Sequence, residues 1–326
     1  MKDALPNIFA WIERFSRLAI VATIVLFGFL RLLGIELHLS AQITIALIAL
    51  LVGIPHGAID HLISIPAKPR SRFVIYIVIY VAIALLAGWA IATWNLRGFQ
   101  AIVLVSCLHF GYGDAAYRNE WKSAIGARKF PWFIESIYAM PAGFIPVILP
   151  LTDPRSGSAL LRIHPALADW AGSHSHLLRN LVIFLAIAAL LILFVSKEFE
   201  FVTDLILLGA LALTAPPLVA FATYFGFWHA ARHTARLVPK LGSARALAAS
   251  GYGVKALLAA ITPGLYAVVG AVALATGLMI FDRSQFSSGL LWSALVVIWA
   301  LTVPHMLSTS RFDLRAIRAT RVSPAV

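Results

Sequence analysis

The chain has 326 residues, of which 61% are hydrophobic and only 12% charged, with a mean hydropathy of +0.89. A soluble domain is roughly half apolar and a quarter charged, so this composition excludes an ordinary water-soluble globule and makes the lipid bilayer the natural solvent. A net charge of +12 would suit nucleic acid, but the positive residues are scattered through short connections between apolar runs, so they report membrane topology and no nucleic acid is expected.

A helix crossing about 30 Å of hydrocarbon needs roughly 20 residues. In chain order such runs lie near 18–37, 41–60, 73–94, 98–116, 132–151, 177–195, 201–214, 217–236, 256–280 and 288–310. The preceding segment, MKDALPNIFAWIERFSR, lacks a short apolar core ending in a small-residue cleavage site and reads as a retained N-terminus. The stretch from Phe201 to His229 is ambiguous. Its first half is short and the pair Pro216 and Pro217 follows, so it forms two spans or one kinked span.

Charge favours two spans, because cytoplasmic connections carry the excess of Lys and Arg. With ten spans, only Arg31, Arg97, Arg155, Arg162, Arg179 and Arg283 face outward, leaving 20 of the 26 Lys and Arg on the inner side with both termini. Nine spans would turn the cluster from Arg232 to Lys255 outward. The expected fold is therefore an all-α polytopic membrane bundle of about ten transmembrane helices. Its termini are cytoplasmic, residues 1–326 form a single integral-membrane domain, and the location is the cell (inner, plasma) membrane. No internal repeat is visible, and the longest polar connection, 152–176, faces outward.

Of the ten histidines, His38, His164, His174 and His176 fall in outer connections, and His61 lies just past the second span. The other five, His56, His109, His229, His233 and His305, sit at similar depth in spans that all run from outside to inside. Any one alone could be a core histidine bonded to a backbone carbonyl. Ionisable groups inside a membrane are costly, so five at one depth point to a shared site.

His229 and His233 are spaced i, i+4, which puts both imidazoles on one helix face where they can share a metal. His56 and Asp60 share that spacing, so Asp60 could orient the ligand through its other N–H, and Asp114 is a second such candidate. The single cysteine, Cys107, offers no thiolate site. Imidazole ligation suits iron, copper or zinc rather than magnesium or calcium. An apolar setting, suited to a lipophilic substrate and dissolved oxygen, favours iron.

Phe110, Tyr112, Tyr224 and Trp228 stand near the histidines and could line a groove for a conjugated polyene, or simply pack at helix ends. Gly53 and Gly57 around His56, and Gly111 and Gly113 after His109, would let helices approach closely.

The motifs GIPHGAIDH at 53–61, HFGYGD at 109–114, WHAARH at 228–233 and VPHML at 303–307 resemble, in order and spacing over nearly the whole chain, the Brp/Blh family of bacterial and archaeal membrane proteins. The resemblance implies an iron-dependent β-carotene 15,15'-dioxygenase, which cleaves the central double bond of β-carotene with O2 into two molecules of all-trans retinal. Matched motif by motif, it implies Fe(2+) ligation by His56, His109, His229 and His233, with His305 as a further candidate. A retinal-binding rhodopsin is the expected product acceptor.

Four other readings compete. A di-iron hydroxylase needs about twice as many clustered histidines. A haem carrier needs no substrate groove, and a transporter should repeat its polar groups at several depths. A non-catalytic factor in retinal-protein assembly would carry the same motifs without turnover.

Overall fold

The computed structural model describes residues 4–63, 69–127, 130–281 and 289–318, and among them every regular element is helical. The helices are α1 (Ala4–Leu32), α2 (Leu39–Gly53), α3 (Asp60–Ile63), α4 (Arg70–Thr93), α5 (Asn95–Ala124), α6 (Trp132–Leu151), α7 (Ser156–Ile163) and α8 (Ser175–Val195). They continue as α9 (Phe199–Thr214), α10 (Pro217–Thr223), α11 (Ala230–Leu237), α12 (Gly242–Ala249), α13 (Gly253–Ile261), α14 (Leu265–Phe281) and α15 (Leu290–Arg318).

Each of the ten expected apolar runs is mostly helical over its described residues, although the helix of the first, 18–37, starts at Ala4 and already ends at Leu32. Seven helical stretches among the described residues are long and apolar enough to cross a membrane: Pro6–Leu32, Leu39–His56, Arg70–Thr93, Trp132–Leu151, Gly172–Val195, Gly253–Phe281 and Leu290–Ser310. The other three fall short for physical reasons. α5 gives up apolar positions to His109, Asp114 and Arg118; α9 has 16 residues; and 217–236 is not one uniform helix. Side chains such as Val25, Leu85, Phe184 and Val269 face outward and are well exposed, an exterior suited to lipid.

α6 is the most enclosed of the long helices and packs against α5, α8, α9 and α10. Its crossing with α5 is backbone to backbone. A Cβ on Gly111 would collide with the Ala139 carbonyl, and one on Gly143 with the Cys107 carbonyl. Cys107 with Gly111, and Ala139 with Gly143, thus form two facing small-xxx-small surfaces, a common way to bring membrane helices together.

The ambiguous stretch resolves into two legs. Ala215 and Pro216 are extended, and α10 starts at Pro217. Arg17 of α1 reaches Asp204 early in α9, and Gly28 lies beside Thr214 at its end, so α1 and α9 run in the same direction. Arg232 then comes back to Asp204 and Ser16, so the chain reverses at the prolines. A π-helical turn, Tyr224–His229, joins α10 to α11.

Charge also behaves differently from the simple topology reading. Arg118, Arg232 and Arg236, assigned to a solvated inner face, are buried. Asp204 accepts hydrogen bonds from Arg17 (2.9 Å), Arg118 (2.5 Å), Arg232 (3.1 Å) and the Tyr138 hydroxyl (3.3 Å). Glu13 pairs with the same three arginines at 2.6–3.0 Å. This network ties α1, α5, α9 and α11 together, because a buried guanidinium is tolerable only when paired.

Candidate metal centre

Four segments deliver the five histidines expected to share a site to one place. After α2 the chain tightens into a 3-10 turn, Ile54–His56, with Pro55 at its start, which swings His56 inward. Its Nδ1 donates to the Gly53 carbonyl. His109 comes from mid-α5. His229 ends the π turn, a local widening often found at functional sites, and His233 follows one helical turn later on α11. His305 comes from α15, directly after Pro304.

The His56 ring centroid lies 5.5 Å from His229, 5.1 Å from His233 and 5.5 Å from His305. His109 lies 5.1 Å from both His229 and His305, and His233 is 5.8 Å from His305 and 6.2 Å from His229. With metal–nitrogen distances of about 2.1 Å, ring centroids stand about 3.2 Å from an ion and neighbouring ligands about 4.5–5.3 Å apart. The cluster is slightly wider than that, and among the described residues no three His, Cys, Asp or Glu side chains are already set to hold a metal ion.

The chemistry of the donor set nonetheless fits a metal. Both ring nitrogens of His229 and His233, and Nε2 of His305, are buried without a hydrogen-bond partner. Buried polar atoms are normally satisfied, so unpartnered imidazole nitrogens on three clustered rings suit metal ligation, in which each ring gives one nitrogen.

Two carboxylates stand behind the rings. Asp60 accepts from Nδ1 of His305 at 2.9 Å and from the Tyr80 hydroxyl at 3.4 Å. The i, i+4 spacing had paired Asp60 with His56; the Gly53 carbonyl occupies that His56 nitrogen instead. Asp114 lies 3.9 Å from Nδ1 of His229 and accepts from Trp228 Nε1 (2.9 Å) and the Tyr224 hydroxyl (3.3 Å). Thr309, one turn after His305, sits 3.4 Å from His109 Nδ1.

Three glycines make room for rings. A Cβ on Gly53 would strike the Phe225 ring, one on Gly57 would stand 3.3 Å from the His305 ring, and one on Gly113 would stand 3.2 Å from Cε1 of His229.

A cavity of about 350 Å³ reaches the cluster, with His56, His109, His305 and Asp60 on its wall and an otherwise largely apolar lining. Of the four aromatics singled out in the sequence, Phe110 is on this wall; its ring is also 4.6 Å from that of His229. Tyr112 packs half-buried against the core, and Tyr224 and Trp228 are fully buried behind Asp114. Phe221, Phe225 and Trp299 line the cavity without having been anticipated, because nothing local distinguishes them from packing aromatics. Thr309 was readable as the i+4 neighbour of His305; Tyr80 carried no signal. The His61 side chain lies outside the described residues.

A protein-family model described as Beta-carotene 15,15'-dioxygenase matches residues 47–313. A protein from an uncultured marine bacterium, 66A03, named Beta-carotene 15,15'-dioxygenase, is 27% identical over 275 residues, covering 78% of this chain and 88% of that protein. No solved structure matches.

Proposed function

The chain belongs to the beta-carotene 15,15'-dioxygenase family, and on that premise we propose that it cleaves the central double bond of β-carotene with O2 to give two molecules of all-trans retinal. The observation that carries this reading is the convergence of five buried histidines, three of them, His56, His109 and His305, on the wall of an apolar cavity, with unpartnered nitrogens on His229, His233 and His305. Such a pocket offers a hydrocarbon a place to lie and a metal a place to bind.

His56, His109, His229 and His233 are the proposed ligands of Fe(2+). His305 joins them through its free Nε2, with Asp60 fixing its tautomer from the other nitrogen, the carboxylate–histidine arrangement common around metals. Bound there, iron supplies the one-electron chemistry that lets O2 react with a hydrocarbon double bond.

The balance of the reaction defines what the protein must do. One C=C bond and one O2 become two C=O groups, one oxygen on each fragment, and no net proton is taken up or released. The chain therefore needs to position and to exclude water, not to supply an acid. A polyene centre offers nothing to hydrogen-bond, so placement falls to shape, with Phe110, Phe221, Phe225 and Trp299 setting the walls. Asp114, held by Trp228 and Tyr224, stands 3.9 Å behind Nδ1 of His229, placed to accept from that nitrogen when the other one binds metal.

The ten-span topology with both termini inside, in the cell membrane, belongs to the same proposal, as does a retinal-binding rhodopsin as acceptor of the product. The charge asymmetry and the reversal at Pro216 support the first. The test is assay of retinal and bound iron in the purified protein. Wild type should hold iron and form retinal, and His229→Ala and His233→Ala should lose both. A Soret band would indicate a haem carrier instead, and unchanged β-carotene beside an iron-loaded protein would indicate a non-catalytic role.

A further inference from the structure

The helices around the cavity form a circuit. α2 packs on α10, α10 on α6, α6 on α5, α5 on α4 and α15, α4 on α15, and α15 on α14. Closing it would require α14 to pack along α2. Among the described residues these two form no extended contact. They meet at one end, where the turn after α2 touches the start of α14 so closely that a Cβ on Gly264 would collide with the Pro55 carbonyl.

From that foot the two helices run apart, and the gap between them is part of the cavity. Ile43, Ala46, Leu47 and Leu50 line it from α2, and Ala267 and Ala271 from α14. Leu47 is on the cavity wall and 38% exposed, and its neighbours Ile48 and Leu51, which do not line the cavity, are exposed on the outer side of α2. Both helices lie within stretches apolar enough to cross the bilayer, which puts the gap at hydrocarbon depth.

We propose that the cleft between α2 and α14 is a lateral portal through which a polyene hydrocarbon dissolved in the bilayer slides end-on to the histidine cluster. This rests on the reading of the cavity as the site of polyene cleavage. Two features of the cleft select that occupant. Its six named walls carry no charge and no hydrogen-bonding group, so a polar solute would lose its hydration without replacement. Its opening faces lipid, where a carotenoid is concentrated and water is scarce. The closed foot at Pro55 and Gly264 shields the histidines at that end.

The test uses iron-loaded full-length protein in liposomes that contain β-carotene. Ala46→Trp and Ala267→Trp narrow the mouth and should lower kcat/KM for retinal formation at least tenfold, with bound iron unchanged. Leu47→Ala widens it and should raise kcat/KM, an order of effects that a folding defect would not produce. Val269→Trp, on the exposed face of α14 away from the cavity, is the control and should match wild type. Wild-type kcat/KM in both narrowing variants would overturn the portal while leaving the cleavage reading intact. Absence of retinal from the wild-type protein would overturn both.

Discussion

Trp228 and Tyr224 look, in sequence, like groove aromatics beside a histidine motif; folded, they spend their polar atoms on Asp114. The physical reason is that an indole N–H or phenol buried in an apolar bundle must find an acceptor, and Asp114 is within reach across α5. Removing that acceptor with Asp114→Ala leaves two buried donors unsatisfied, each costing about 1–3 kcal/mol. The expected outcome is a lower melting temperature and reduced metal occupancy, read by differential scanning and metal analysis of the same sample. The five histidines themselves were legible, because ionisable residues at one depth of a hydrophobic helix stand out. Their partners were not: His305 and Asp60 are 245 residues apart, and only the fold brings them together. Gly113 makes the same point on a smaller scale. Its Cβ would press against His229 at 3.2 Å, so Gly113→Ala should disturb the ring and cut retinal formation with little change in expression.

Several helix positions were readable to within a few residues, as with 132–151 and α6, since length and hydropathy decide that a segment crosses lipid. The first run, 18–37, missed the polar first turns of α1, which begins at Ala4 and ends at Leu32. Breaks were harder. The π turn at Tyr224–His229 leaves no compositional mark, whereas the two prolines and the Lys and Arg distribution together announced the reversal before it. The α5–α6 crossing is the element contact most sensitive to a single methylene. Gly111→Leu or Gly143→Leu places side-chain atoms where carbonyls already stand, and overpacking of this kind costs about 1–3 kcal/mol or more. Both variants should show lower thermal stability and loss of iron. The charge network behind α11 was invisible because sequence alone assigns arginines to the surface. Asp204→Ala leaves the buried Arg118 and Arg232 sharing Glu13 as their one remaining buried carboxylate, and breaking a buried pair costs about 3–5 kcal/mol. Failure of this variant to accumulate as a folded membrane protein is the expected result, and normal stability would show that water reaches the cluster.

At the scale of the molecule, one helical bundle reconciles three demands: an exterior that dissolves in lipid, an ionic clamp that fixes the helices behind the site, and a cavity that ends on imidazoles. Composition announced the first, and motif spacing announced the imidazoles. The cavity and its open side depend on which helices neighbour which, and a list of apolar runs does not specify neighbours. Purified, iron-loaded protein given β-carotene and O2, with products separated by chromatography, addresses the central claim most directly. The account predicts two molecules of all-trans retinal for each β-carotene consumed and no longer aldehyde. Unequal apocarotenals, or intact β-carotene in the presence of a fully iron-loaded protein, would contradict it.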